Sequence, residues 1–289
     1  MPQSLCILHA NCQGDMLLPI LKNTPAFTRY FHVRRYINYT KEAVDARDLE
    51  RCSLFLYQYL PSKWKEHSSE QMLASLPSHC KHVEIPNLFF KGYWPFWQSG
   101  GPINFTNSLL EKLLQKSDPQ TTLRLYLKGS PAILGDQSVL EAIAEDSLAH
   151  EELKEKNSLI HCTPLLRERW RDQQLFLTIN HPGPDLVLHI ADSLLQLLEL
   201  GSIPPCIRST YVHPFNDFWL PIHPAVGRML KLSFTEPERR YTIFQNRLTH
   251  REYVLAYLAC RTNNVHDLLS FLENLDPCYV AKLPMFGSR

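Results

Sequence analysis

Four short apolar runs alternate with three helical segments over the first ninety residues, and this rhythm constrains the fold more than any other feature. The runs are "LCILHA", "RYFHVRRYI", "SLFLYQYL" and "KHVEIP"; the segments between them are 13–23, "KEAVDARDLERC" and 66–76. A connection that contains a helix is too long for a hairpin. It returns the chain to the same end of the sheet, so successive strands run parallel. The rhythm therefore predicts an α/β fold with a parallel sheet in the N-terminal part and helices around it. In such sheets ligands bind beyond the carboxyl ends of the strands, where the strand order reverses.

From residue 104 onward the apolar period becomes helical. "NFTNSLLEKLLQK" carries Asn104 or Thr106 as candidate caps, "DQSVLEAIAEDS" has Asp136 in that position, and "HEELKEKNSLIH" follows. "CTPLLRERWRDQQ" opens on Thr163-Pro164, a cap followed by a proline at the first helical position. An amphipathic helix over 185–200 ends at Gly201, and two further helices are expected over 249–261 and 263–274. Residues 204–224, rich in proline and aromatics, read as a long ordered loop. With no internal repeat and no linker, residues 1–289 read as a single α/β domain. A βαβ-rich part occupies about 1–100 and a predominantly helical part about 101–289.

The 289 residues are 44% hydrophobic, enough to bury a core without staples, and 30 Lys and Arg balance 29 Asp and Glu. That balance gives no electrostatic basis for bulk nucleic-acid binding. The eight cysteines are scattered with no close pair, which disfavours a zinc site, and no metal is expected. The start "MPQSLCILHA" lacks the basic-then-apolar pattern of a secretory leader, and no window has 18 uninterrupted apolar residues. A cytoplasmic protein with free thiols and no membrane span is the expectation.

"HANCQGDMLL" places Cys12 at the turn between the first strand and the first helix. A thiol at the positive end of a helix is stabilised as thiolate, and nearby N–H groups can receive an oxyanion. Asn11 and Gln13 add amide donors, and Gly14 leaves room for close approach. The competing reading is a buried structural cysteine. A nucleophilic thiol needs a base, and three of the 13 histidines precede proline: His181, His213 and His223. His181, in "LFLTINHPGP" beside Asn180, sits where an apolar run ends, with Pro182 and Pro184 fixing the backbone. A plain proline turn explains the same string.

"IPNLFFKGYWPFWQSGG" supplies a cluster of aromatics after the fourth strand. Tyr93, Trp94 and Trp97 are either a wall for a sugar or a ring-bearing cofactor, or the packing of a core loop. Arg34, Arg35 and Lys128 are candidate partners for phosphates. Lys128-Gly129-Ser130 lacks the full GxxxxGK[ST] pattern, so it is not a P-loop.

Taken together, "NCQG" after the first strand, "LFLTINHPG" past the middle and "LPIHPAVGRMLKL" nearer the end resemble the WcbI-type polysaccharide biosynthesis proteins. The resemblance spans residues 4 to about 235; residues 236–289 lie outside it. It implies coenzyme A binding and acetyl transfer in the synthesis of a bacterial capsule polysaccharide. It also implies that Cys12 is the catalytic thiol, with Asn11 and Gln13 flanking it in the pocket and His181 as base or orienting group beside Asn180. His223 matches a family position without an assigned role. "IPNLFFKGYWPFW" is similar to a family segment that has a histidine before the proline, where this chain has Trp94.

The expected reaction is acyl transfer from acetyl-CoA, as substrate, to a hydroxyl of a sugar or sugar nucleotide. Cys12 either carries the acyl group as a thioester or shapes the oxyanion site while His181 activates the acceptor. A cysteine-dependent esterase or thioesterase would use the same pair with water as acceptor. A non-catalytic protein that binds coenzyme A or a glycan is the third reading.

Overall fold

The computed structural model describes residues 2–276. Cys278 and the rest of the C-terminus lie outside the described residues. By their contacts the residues fall into two compact units. Among the described residues the first comprises 2–89, 150–168 and 181–215; the second comprises 90–149, 169–180 and 216–276.

The first unit is built on a four-stranded sheet in the order β2-β1-β3-β4, with every neighbouring pair parallel. Its strands are β1 (Ser4–Ala10), β2 (Phe31–Ile37), β3 (Cys52–Tyr57) and β4 (Lys81–Glu84). β1 is central and buried on both faces, as a near-continuous apolar run in a parallel sheet should be. Leu5 and Ile7 point to one face, where Phe55, Tyr57, Met72 and Cys80 join them. The alternation of β1 sends Cys6 and Leu8 to the opposite face. There α1 (Cys12–Asn23) buries Met16, Leu17, Ile20 and Leu21 and packs against the helix Pro184–Leu197. Each such aliphatic side chain stabilises the unit by about 1.5–3 kcal/mol.

The chain passes from β1 outward to β2, then returns to place β3 on the other side of β1. The reversal of strand order falls at the carboxyl ends of β1 and β3, and Cys12 follows β1 there.

The second unit is largely helical, with the helices Ser108–Leu114, Pro119–Lys128 and His250–Thr262 packed together. Three differences from the sequence reading stand out. The helix Ser108–Leu114 is capped by Asn107, whose side chain accepts from the N–H groups of Leu109 and Leu110, rather than by Asn104 or Thr106. An antiparallel hairpin pairs Arg240–Ile243 with Asn246–Thr249 in a stretch with no such expectation. "DQSVLEAIAEDS" and "HEELKEKNSLIH" also join in one helix, Gln137–Glu155, with Asp136 accepting from the Val139 N–H as expected. Among the described residues no helix is long and apolar enough to cross a membrane.

Candidate active site

Cys12 is the first residue of α1, half-buried, behind an N-cap made by Asn11. The Asn11 Oδ1 accepts from the Gln13 N–H at 2.8 Å, and its Nδ2 donates to Asn87 Oδ1 at 3.0 Å. The turn is held from three further directions. Gln58, fully buried just beyond β3, accepts from the Asn11 N–H at 2.8 Å and donates to the Pro86 carbonyl at 3.0 Å. Gln13 reads both backbone groups of Leu88, donating to its carbonyl at 2.6 Å and accepting from its N–H at 3.0 Å. Arg35 donates to the Ala10 carbonyl at 2.8 Å and to Asp15 at 3.0 Å, and also bonds the carbonyls of Asn11 and Tyr36.

These bonds revise the roles expected for several residues. Asn11 and Gln13 spend their amides on the scaffold. The N–H groups of Gln13 and Gly14 donate to Asn11, to its side-chain oxygen and its carbonyl respectively. The space at Gly14 belongs to Arg35: a Cβ there would stand 2.9 Å from the guanidinium carbon. Arg35 is thus a latch on the turn rather than a phosphate ligand. Arg34 pairs with Asp48 at 2.6 Å, and Asp48 also accepts from the Tyr36 hydroxyl at 2.5 Å.

The expected lowering of the Cys12 pKa is not observed. Burial and then the Asp15 carboxylate push the thiol up, and these outweigh the opposing helix N–H groups and Arg35. The resting form at neutral pH is the thiol, so any nucleophilic role requires proton removal during reaction.

His181 lies in the two-residue strand His181–Pro182, which packs against α1 within the same unit. Its ring stacks on Phe215 at 4.5 Å between centroids, 19° from parallel. Burial, with a smaller contribution from His213, pushes its pKa down to about 4, so it is neutral at pH 7. Its Nδ1 is buried and has no hydrogen-bond partner among the described residues. A buried imidazole nitrogen left unpaired is costly, and in a functional site it is a group awaiting a ligand proton.

His213 is spent differently. Its Nδ1 accepts from the Phe215 N–H at 3.2 Å, so Nε2 carries the proton and donates to the Pro182 carbonyl at 2.9 Å. His213 therefore supports the residue after His181 and the ring that stacks on it. The His-Pro pattern contained this role, because a histidine before a turn-opening proline can accept through Nδ1 from the N–H two residues on.

The remaining candidates belong to the second unit. His223 caps the helix Pro224–Met229, accepting from the Ala225 N–H at 3.0 Å while Nε2 donates to the Tyr126 carbonyl at 2.9 Å. Both ring nitrogens are satisfied, and the role is structural. Tyr93 is fully buried and donates to the Trp170 carbonyl at 2.7 Å. The Trp94 indole donates to the carbonyls of Leu220 and Pro221, at 3.1 and 3.2 Å. Tyr93, Trp94 and Trp97 line a cavity of about 40 Å³, too small for adenine or pantetheine, so this loop is core packing rather than a cofactor wall. Lys128 is exposed in the last turn of its helix, and Asn180 accepts from the Thr178 hydroxyl at 3.3 Å.

The composition of the sequence concealed two residues that matter here, Gln58 and Glu151. Gln58 lay inside an apolar run, and Glu151 inside a charged helical stretch. Glu151 is buried and ion-paired with Lys154 at 2.6 Å, and burial pushes its pKa up to about 7.

Comparison with known proteins bears on the family and the fold. The family described as the polysaccharide biosynthesis enzyme WcbI matches residues 5–202. A search of curated proteins finds no match. Among solved structures, that of WcbI superposes with a TM-score of 0.74 at 18% identity, covering 98% of this chain and 94% of the other. That structure is described as a novel polysaccharide biosynthesis enzyme, the native protein without a disulfide between coenzyme A and one of its cysteines. At that identity the likeness establishes the fold, and the family match carries the assignment: the chain belongs to the WcbI family of polysaccharide biosynthesis enzymes.

Proposed function

We propose that the protein transfers an acetyl group from acetyl-CoA to a saccharide hydroxyl during capsule-type polysaccharide synthesis, in the cytoplasm, using Cys12 and His181. One observation carries this reading. Cys12 opens α1 at the reversal of strand order, and the strand packed on that helix bears a neutral histidine with an unpartnered buried Nδ1. The description of the similar WcbI structure, which names a disulfide between coenzyme A and a cysteine as absent from that native form, supports placing the coenzyme sulfur near such a thiol.

Because the thiol is protonated at rest, thiolate formation is coupled to proton transfer. His181 Nδ1 takes the thiol proton as Cys12 Sγ attacks the acetyl carbonyl, and the departing coenzyme leaves as thiol with that proton. The exchange of one thioester for another is close to isoenergetic. The acceptor hydroxyl then attacks the Cys12 thioester. Its proton passes to His181 and back to Sγ, restoring both groups. A histidine with a pKa near 4 is a weak base in isolation but remains unprotonated throughout the neutral range.

Incubation with labelled acetyl-CoA, with and without a panel of saccharides, tests the reading. Release of coenzyme A that depends on acceptor, with label appearing in the saccharide, is expected. Release at the same rate without acceptor would instead establish a hydrolase.

A further inference from the structure

A cavity of about 680 Å³ opens at the carboxyl ends of β3 and β4, within the size range of small-molecule sites. Tyr57 ends β3 and Glu84 ends β4 at its floor, and residues 85–88 form one wall. Two of those wall residues are the ones bonded to the neighbours of Cys12. Asn87 accepts from the Asn11 side chain at 3.0 Å, and Leu88 is held at N–H and carbonyl by Gln13. The cavity is therefore tied directly to the turn that presents Cys12, and all its lining belongs to the first unit.

Its chemistry is one-sided. Glu70, Glu84, Glu151 and Glu155 line it against a single cation, Lys154. Lys154 is already committed to Glu151 and to the Asn87 carbonyl. Glu155 is spent on the N–H groups of Cys162 and Thr163, at 2.8 and 3.0 Å. Such a lining repels phosphates and offers no guanidinium or free ammonium to hold them. It does suit a ligand rich in hydroxyls, because carboxylate oxygens accept strongly from O–H donors. Tyr59, more than half exposed, adds ring surface against which the C–H face of a pyranose can lie.

We infer that this cavity is the acceptor site and takes an uncharged saccharide, so that the acetyl group is added to a glycan free of nucleoside diphosphate. The inference rests on the acyl-transfer reading for the word acceptor, but saccharide binding can be measured apart from it. It places the protein after the reaction class that removes the nucleotide from the sugar.

Saturation-transfer NMR on the full chain tests this with methyl α-mannoside, methyl β-galactoside and maltose, beside GDP-mannose and UDP-galactose. At least one neutral glycoside should bind, and more tightly than its nucleotide counterpart. Tyr59→Ala should weaken that binding at least tenfold and Glu84→Gln several-fold, while the affinity for coenzyme A stays within twofold for both variants. The inference is overturned if no glycoside binds, if both variants bind the glycoside as the wild type does, or if a nucleotide sugar binds more tightly than its glycoside. Glycoside binding that persists in a protein with no affinity for coenzyme A would instead defeat the acyl-transfer reading and leave the cavity's ligand class standing.

Discussion

Replacing Gln13 by leucine separates a scaffold amide from a catalytic one. The substitution keeps side-chain volume, so it opens little cavity, but it strips both partners from the backbone of Leu88. The Gln13 Nε2 bond to the Leu88 carbonyl is 2.6 Å and the Leu88 N–H bond to Oε1 is 3.0 Å, and Leu88 itself is 1% exposed. Each orphaned buried polar group costs about 1–3 kcal/mol, so the pair costs roughly 2–6 kcal/mol. Gln58 loses its 3.3 Å bond to Gln13 but keeps the Pro86 carbonyl at 3.0 Å, so it adds little. At about 2–4 °C per kcal/mol, a mid-range loss of about 4 kcal/mol lowers Tm by roughly 8–16 °C. Scanning calorimetry on the variant, with urea unfolding followed by circular dichroism, reads this directly. A loss under about 1 kcal/mol, together with a collapse of acetyl transfer in a well-folded variant, would refute the scaffold assignment and restore Gln13 as a reacting-site donor.

Three further outcomes follow from the same geometry. The Glu151 carboxyl, with its pKa raised to about 7 by burial, favours the fold below pH 4.5 and loses that contribution as pH rises through 7. Glu151→Gln should therefore raise Tm at pH 8 relative to wild type and change it little at pH 5; equal effects at both would contradict the buried-charge account. Gly14→Ala would drive a Cβ to 2.9 Å from the Arg35 guanidinium and should cost about 1–3 kcal/mol in urea unfolding, whereas a neutral result would show that the latch yields freely. Burial is the main cause that holds the Cys12 thiol up and Asp15 the second; Asp15→Asn removes the second, so iodoacetamide should alkylate Cys12 faster at pH 8 than in wild type, and an unchanged rate would remove Asp15 from the thiol's environment.

The sheet was legible because its apolar runs and helical segments differ in period and are cut by charged and proline-bearing turns. The turn at Cys12 was legible for the same reason, since an apolar strand pattern gives way there to a helical one. What the local string could not carry was the competition at that turn. Helix N–H groups favour a thiolate, but Asp15 lies one turn along the same helix, and burial depends on partners distant in sequence. Arg35 shows the same limit. Its charge suggested a phosphate ligand, whereas its position in β2, next to β1, aims it at the carbonyls of the turn. The "FFKGYWPFW" loop was read as wall or core, and full burial of Tyr93 decides for core. The helix Pro119–Lys128 is legible in its Asp118-Pro119 opening, where the Asp118 carboxylate accepts from the Thr121 N–H. The acidic cavity could not be anticipated, because it gathers Tyr57, Glu84 and Glu151 from separate strands and a helix.

The most direct test of the central claim is mass analysis of the acid-quenched protein after mixing with acetyl-CoA in the absence of acceptor. The account predicts one added acetyl group located on Cys12. That group is discharged when a saccharide acceptor is supplied, absent in Cys12→Ser, and formed far more slowly in His181→Gln. Full acetyl transfer by Cys12→Ser, with no acetyl group ever found on the wild-type thiol, would contradict it.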